Sequence, residues 1–106
     1  MVRAARRAAS VVVVAIVCQF GAGCLPGGLS PAQLYRLRQC EASGSYTAVS
    51  PGGTYRGAYQ FDRVTWRSMG GSGDPAAAPA WEQDTRASLL YQARGGSPWP
   101  LCRRVL

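Results

Sequence analysis

The sequence predicts a small α+β domain, mainly helical, with one β-hairpin and a disulfide staple. Three observations predict it. Ser30-Pro31-Ala32-Gln33 has the form of a capping box, which opens a helix. Ser45 to Phe61 is a glycine-punctuated run around Ser50-Pro51-Gly52-Gly53, as a hairpin requires. Cys40 and Cys102 bracket most of what remains. At 106 residues there is room for one domain.

The chain opens on a leader. Arg3, Arg6 and Arg7 form a basic region, Ala8 to Val17 an apolar stretch, and Gly21-Ala22-Gly23 a run of small residues suited to cleavage. The apolar stretch is shorter than the ~20 residues of a spanning helix. Residues 1–24 therefore read as a secretion signal, 25–30 as a linker and 31–106 as the folded domain. Lipid attachment at Cys24 is the lesser alternative, because Gly21 stands where a bulky aliphatic belongs.

Export sets the meaning of the cysteines. Cys18 falls in the leader and Cys24 at its boundary, leaving Cys40 and Cys102 for an oxidising compartment. A bridge between them would contribute on the order of 4 kcal/mol in the chain-entropy model. Two buried free thiols are the rival reading, and the weaker one for a small exported domain.

The first helix should run from Pro31 to about Ala42, with Gly44 turning the chain out of it. Leu34 and Leu37 mark its apolar stripe, and a further step of four reaches Glu41. Tyr46 to Val49 and Thr54 to Phe61 are the two strands, with Gly57 a bulge or a point of close approach. Asp62 caps a second helix over Arg63 to Met69, ended by Gly70-Gly71. Ser72 to Ala78 is a loop. A third helix runs from Pro79 to about Arg94, with Leu89, Leu90 and Ala93 inward. The proline-rich tail from Ser97 should run extended back to Cys40.

All twelve basic residues are arginine, and there is no histidine. That excludes histidine-based triads and histidine-ligated metals, and neither a metal nor another cofactor is expected. Three arginines lie in the leader, leaving nine against five acids, a balance that suits a polyanionic neighbour. Nucleic acid is ranked low, since the arginines are scattered and no binding motif appears.

Glu41 is the residue on which chemistry is expected. Burial beside Leu37 and the negative end of the helix dipole both disfavour its anion. Such an acid can stay protonated near neutral pH and donate to a glycosidic oxygen. A plain surface glutamate at a helix end is the alternative. Tyr46, Tyr55, Tyr59 and Trp66 follow within a short span and offer faces for pyranose rings, unless they simply fill the core, as Phe61 is expected to. Gln60 and Thr65 suit contacts to hydroxyl or N-acetyl groups. Asp62 reads as a cap rather than a second catalytic carboxylate, and Asp74, Glu82 and Asp84 as solvated.

Cys40-Glu41-Ala42-Ser43-Gly44-Ser45-Tyr46, then G-T-Y-R-G-A-Y-Q-F-D-x-x-T-W, E-Q-D and W-P-L-C together resemble the resuscitation-promoting factor core, the actinobacterial transglycosylase-like domain of the lysozyme superfamily. The resemblance spans Leu34 to Cys102. It implies a lysozyme-like fold that cleaves the β-1,4 bond between N-acetylmuramic acid and N-acetylglucosamine in peptidoglycan. It also implies Glu41 as catalytic acid, groove positions at Tyr55, Gln60, Thr65 and Trp66, and a Cys40–Cys102 disulfide. As in lytic transglycosylases, a single carboxylate suffices, with the substrate N-acetyl group assisting. The chain departs from the family's S-G-G-N-[WY] pattern at Ser43 and Ser45, and its tail lacks the first tryptophan of W-G-x-W-P-x-C.

The expectation is thus a secreted, wall-located peptidoglycan glycosidase, working on glycan strands, with other wall hydrolases as candidate partners. Membrane contact would come only through the leader or a lipid on Cys24. A wall-binding or signalling module on the same fold, without turnover, is the alternative.

Overall fold

The computed structural model describes residues 27–106; the leader, Cys18, Cys24 and the first residues of the linker lie outside them. Three α-helices in order, α1 (Pro31–Ala42), α2 (Arg63–Ser68) and α3 (Ala80–Arg94), carry the fold, with 3₁₀ turns at Pro75–Ala77 and Cys102–Val105. No helix among the described residues is long and apolar enough to cross a membrane.

Helix α1 begins where its capping box places it. The Ser30 hydroxyl accepts from the Gln33 amide at 3.2 Å, and the Gln33 side chain accepts from the Ser30 amide at 2.9 Å. Leu34 and Leu37 are buried as the stripe predicts. The helix ends at Ser43, which takes a left-handed φ of 51°, one residue before Gly44 at φ 80°. Two consecutive left-handed residues turn the chain sharply away just after Glu41.

The hairpin is shorter than its sequence suggests. The expected strands Tyr46–Val49 and Thr54–Phe61 reduce to single antiparallel bridges, Val49 with Arg56 and Arg56 with Phe61. The Ala48 amide bonds back to Ser45 and the Gln60 amide to Gly57, so both segments are largely turn. Gly57 and Gln60 also have φ of 85° and 53°, values a strand cannot continue through. Gly57 is a place of close approach, but to the protein itself: a Cβ there would lie 2.5 Å from Gln83 Oε1.

Asp62 caps α2 by accepting from the Thr65 amide at 2.7 Å. Helix α3 turns Leu90 inward as expected, but the rest of its inner face differs from the expected one. Gln83, Ala87, Ser88 and Leu90 are buried, Leu89 is half-buried and Ala93 exposed. Gln83 earns its place by bonding backbone: its oxygen accepts from the Ala58 amide, and its nitrogen donates to the carbonyls of Tyr46 and Ala78. Ser88 holds the backbone of Leu29 through its hydroxyl.

The core gathers Leu29, Leu34 and Leu37 with Tyr59, Phe61, Trp66, Leu90 and Trp99. The Phe61 and Trp66 rings meet edge-on, centroids 5.0 Å apart. The tail is not extended. Trp99 bonds back to Gly96 and Arg103 to Trp99, forming turns that lead into the last 3₁₀ segment. Cys40 and Cys102 form a disulfide with their Cα atoms 5.8 Å apart, fixing that segment to the end of α1.

Candidate active site

Two adjoining hollows of about 290 Å³ each share Tyr55, Gln60, Pro98 and Pro100 in their walls, and so form one trough. Glu41 and Leu101 complete the first hollow; Asp62, Thr65, Arg94 and Ser97 contribute to the second. The disulfide accounts for the meeting of Glu41 and Leu101, since each directly adjoins one of its cysteines.

Glu41 sits in the last turn of α1 on the line of Leu34 and Leu37, half-buried. Its carboxyl makes no hydrogen bond or ion pair among the described residues. Desolvation raises its pKa above that of a free glutamate. The C-terminal position adds the unfavourable end of the helix dipole, and no basic residue stands in that last turn to offset it.

Asp62, the nearest acid in sequence, behaves in the opposite way. Although burial opposes its charge, the Thr65 amide and hydroxyl donate to its two oxygens at 2.7 and 2.9 Å and hold its pKa below the usual value. It borders the trough, but as a carboxylate already occupied as a helix cap. The two acids thus differ in protonation for physical reasons, one deprived of donors and one supplied with them.

The other expected site residues divide. Tyr55 is half-exposed and lines both hollows. Gln60 also lines both, its left-handed backbone braced by its own side chain, which donates to the Gly57 carbonyl at 3.0 Å. Thr65 borders the second hollow with its hydroxyl engaged by Asp62.

Tyr59 touches the second hollow but is 1% exposed, and its hydroxyl donates to Asp84 at 2.5 Å. Burial and that bond push its pKa up, so it is a structural phenol rather than a stacking face. Trp66 is corrected outright. It is 0% exposed, its indole donates to the Ser72 carbonyl at 3.2 Å, and the Arg86 guanidinium lies over its ring. Gly71 packs so close that a Cβ there would lie 2.4 Å from the ring. No sugar reaches it.

Tyr46 is likewise drawn away, its hydroxyl donating to Asp84 at 2.9 Å. Asp84 is therefore no solvated acid; it receives two phenols and stands 4.0 Å from Arg38. Asp74, also expected to be solvated, is held at a pKa of about 2 by the two-pronged contact from Arg56. Glu82 accepts from Arg86 one turn on.

Sequence reading missed the tail as a trough wall. The signal was present: a staple from Cys40 to Cys102 obliges the residue before 102 to stand beside the residue after 40. Arg94 was missed because nothing local separates a helix-end arginine on a groove from one on open surface.

A family model described as the transglycosylase-like domain matches residues 30–102. The chain is 37% identical over 71 residues to the resuscitation-promoting factor Rpf of Micrococcus luteus, covering 67% of this chain and 31% of that protein. It is 38% identical over 66 residues to RpfD of Mycobacterium tuberculosis, covering 62% of this chain and 42% of that one. With RpfB of Mycolicibacterium smegmatis it shares 38% over 69 residues, 62% of this chain and 19% of that protein. The chain spans less than half the length of these relatives.

Proposed function

The chain belongs to the transglycosylase-like domain family of the resuscitation-promoting factors, and from that premise we propose that it cleaves peptidoglycan glycan strands with Glu41 as the general acid. The bond cut is the β-1,4 linkage between N-acetylmuramic acid and N-acetylglucosamine, and the protein works outside the membrane after its leader is removed. One observation carries this reading: a half-buried carboxyl with raised proton affinity and no partner among the described residues stands in the wall of an open trough.

In the first step the Glu41 hydroxyl gives its proton to the glycosidic oxygen as the bond from the anomeric carbon to that oxygen breaks. Positive charge at the anomeric carbon is met by the substrate's own N-acetyl oxygen. Asp62 does not supply that proton, because the bonds from Thr65 hold it as a carboxylate despite its burial. The Glu41 carboxylate then recovers a proton from the attacking hydroxyl, either the sugar's own 6-hydroxyl or water. Tyr55 and Gln60 flank the scission point and steady the rings on either side.

The test is digestion of purified wall by the protein and by Glu41→Gln, with mass spectrometry of the released fragments. General acid catalysis is worth about 10²–10⁴-fold, so the variant should lose that much turnover. Anhydro ends would identify attack by the sugar hydroxyl, and reducing ends attack by water. Equal digestion by parent and variant would remove Glu41 from the mechanism.

A further inference from the structure

The four residues that both hollows share come from two segments of the chain. Tyr55 and Gln60 belong to the hairpin, Pro98 and Pro100 to the tail, and together they form the waist of the trough. How the two banks are held follows from what the tail can donate. Pro98 and Pro100 have no amide hydrogen, and the Trp99 amide already donates to the Gly96 carbonyl at 3.0 Å. The indole is the donor this stretch has left. It crosses to the hairpin and donates to the Tyr59 carbonyl at 3.0 Å.

Both partners lie inside the protein, Trp99 at 2% exposure and Tyr59 at 1%. Tyr59 is anchored from behind as well, its hydroxyl donating to Asp84 on α3. The indole bond therefore joins the residue between the two prolines to the residue just before Gln60. Resting on the reading above, we infer that Trp99 is a positioning residue whose indole N–H sets the width of the waist and so the grip on the glycan strand.

A buried carbonyl that loses its donor costs more than an ordinary hydrogen bond contributes, and water is its nearest replacement. Admitting that water means parting the tail from the hairpin, which widens the waist. The proton donor is not displaced by that change, because Glu41 and Leu101 are fastened at the other end by Cys40–Cys102. Losing the indole bond thus weakens contacts made to the rings in the ground state and in the transition state alike, which raises KM and spares kcat. A role in packing alone would lower stability without that split.

The experiment compares Trp99→Phe with Trp66→Phe, using soluble, uncrosslinked wall glycan as substrate. Each substitution keeps an aromatic ring and deletes one indole donor to a backbone carbonyl, and that of Trp66 goes to Ser72, which borders neither hollow. Trp99→Phe should raise KM about three- to tenfold, the scale of one hydrogen bond, with kcat within about twofold and the alkaline limb of the pH profile unmoved. Trp66→Phe should leave KM within about twofold of the parent. Should Trp99→Phe melt below the assay temperature, benzothienylalanine at position 99, which keeps the bicyclic shape and lacks the N–H, takes its place. Unchanged KM in a folded variant without the indole donor, an equal rise in Trp66→Phe, or a fall in kcat instead, overturns the role of Trp99 alone. Absence of cleavage by the unsubstituted protein removes this inference together with the reading beneath it.

Discussion

At Ser43 the backbone has φ 51°, in a region where a side chain costs about 1–2 kcal/mol and glycine almost nothing. A serine side chain stands here at a backbone angle that glycine would take without that cost. Ser43→Gly should raise unfolding stability by roughly 0.5–1 kcal/mol, the strain relief being partly offset by a freer unfolded chain; urea denaturation measures this. Glu41 yields a prediction about pH. Its folded pKa lies above the unfolded value, so the native state holds the proton more tightly. Stability from this group is full below the unfolded pKa and falls as pH rises through the raised folded one. Glu41→Gln has no such dependence, so it should gain on the wild type in denaturation between pH 4 and pH 7. A constant difference across that range would mean that the carboxyl is not desolvated. For Glu41 as the proposed proton donor, the same shift moves the alkaline limb of the pH profile upward, and cleavage should decline as pH rises through the raised value.

Among the elements, α1 was legible almost to the residue, because both halves of its cap and its first proline are local signals. So was the cap of α2 at Asp62. The hairpin was legible as a reversal but not as a ladder, since glutamine at position 60 gives no warning of a left-handed backbone. The inner face of α3 was read correctly only at Leu90, because hydrophobic spacing cannot register a polar side chain buried to serve backbone groups elsewhere. Gln83 is that case: it joins Ala58, Tyr46 and Ala78, two of them more than twenty positions away. Gln83→Leu should cost roughly 2–5 kcal/mol by leaving those groups unpaired, a loss that thermal unfolding would detect. Glu41, Tyr55 and Gln60, singled out in the sequence, all line the trough. The site was not legible in Trp66, whose ring could equally line a groove or a core until Phe61, Arg86 and Gly71 enclosed it.

For the molecule as a whole, the disulfide spans a sequence separation of 62 and joins α1 to the tail. Replacing both cysteines with serine should lower stability by about 4 kcal/mol in the chain-entropy model, and calorimetry would show a correspondingly lower melting temperature. The same pair of variants should lose cleavage at temperatures where they remain folded, because Glu41 and Leu101 then face one another without a tether. Retained cleavage would show that packing alone aligns the trough.

That tether also makes the shape of the trough depend on redox conditions. Where thiols stay reduced, Glu41 and the bank that carries Leu101 belong to two unfastened segments of the chain. Oxidation of the two sulfurs fastens those banks to each other.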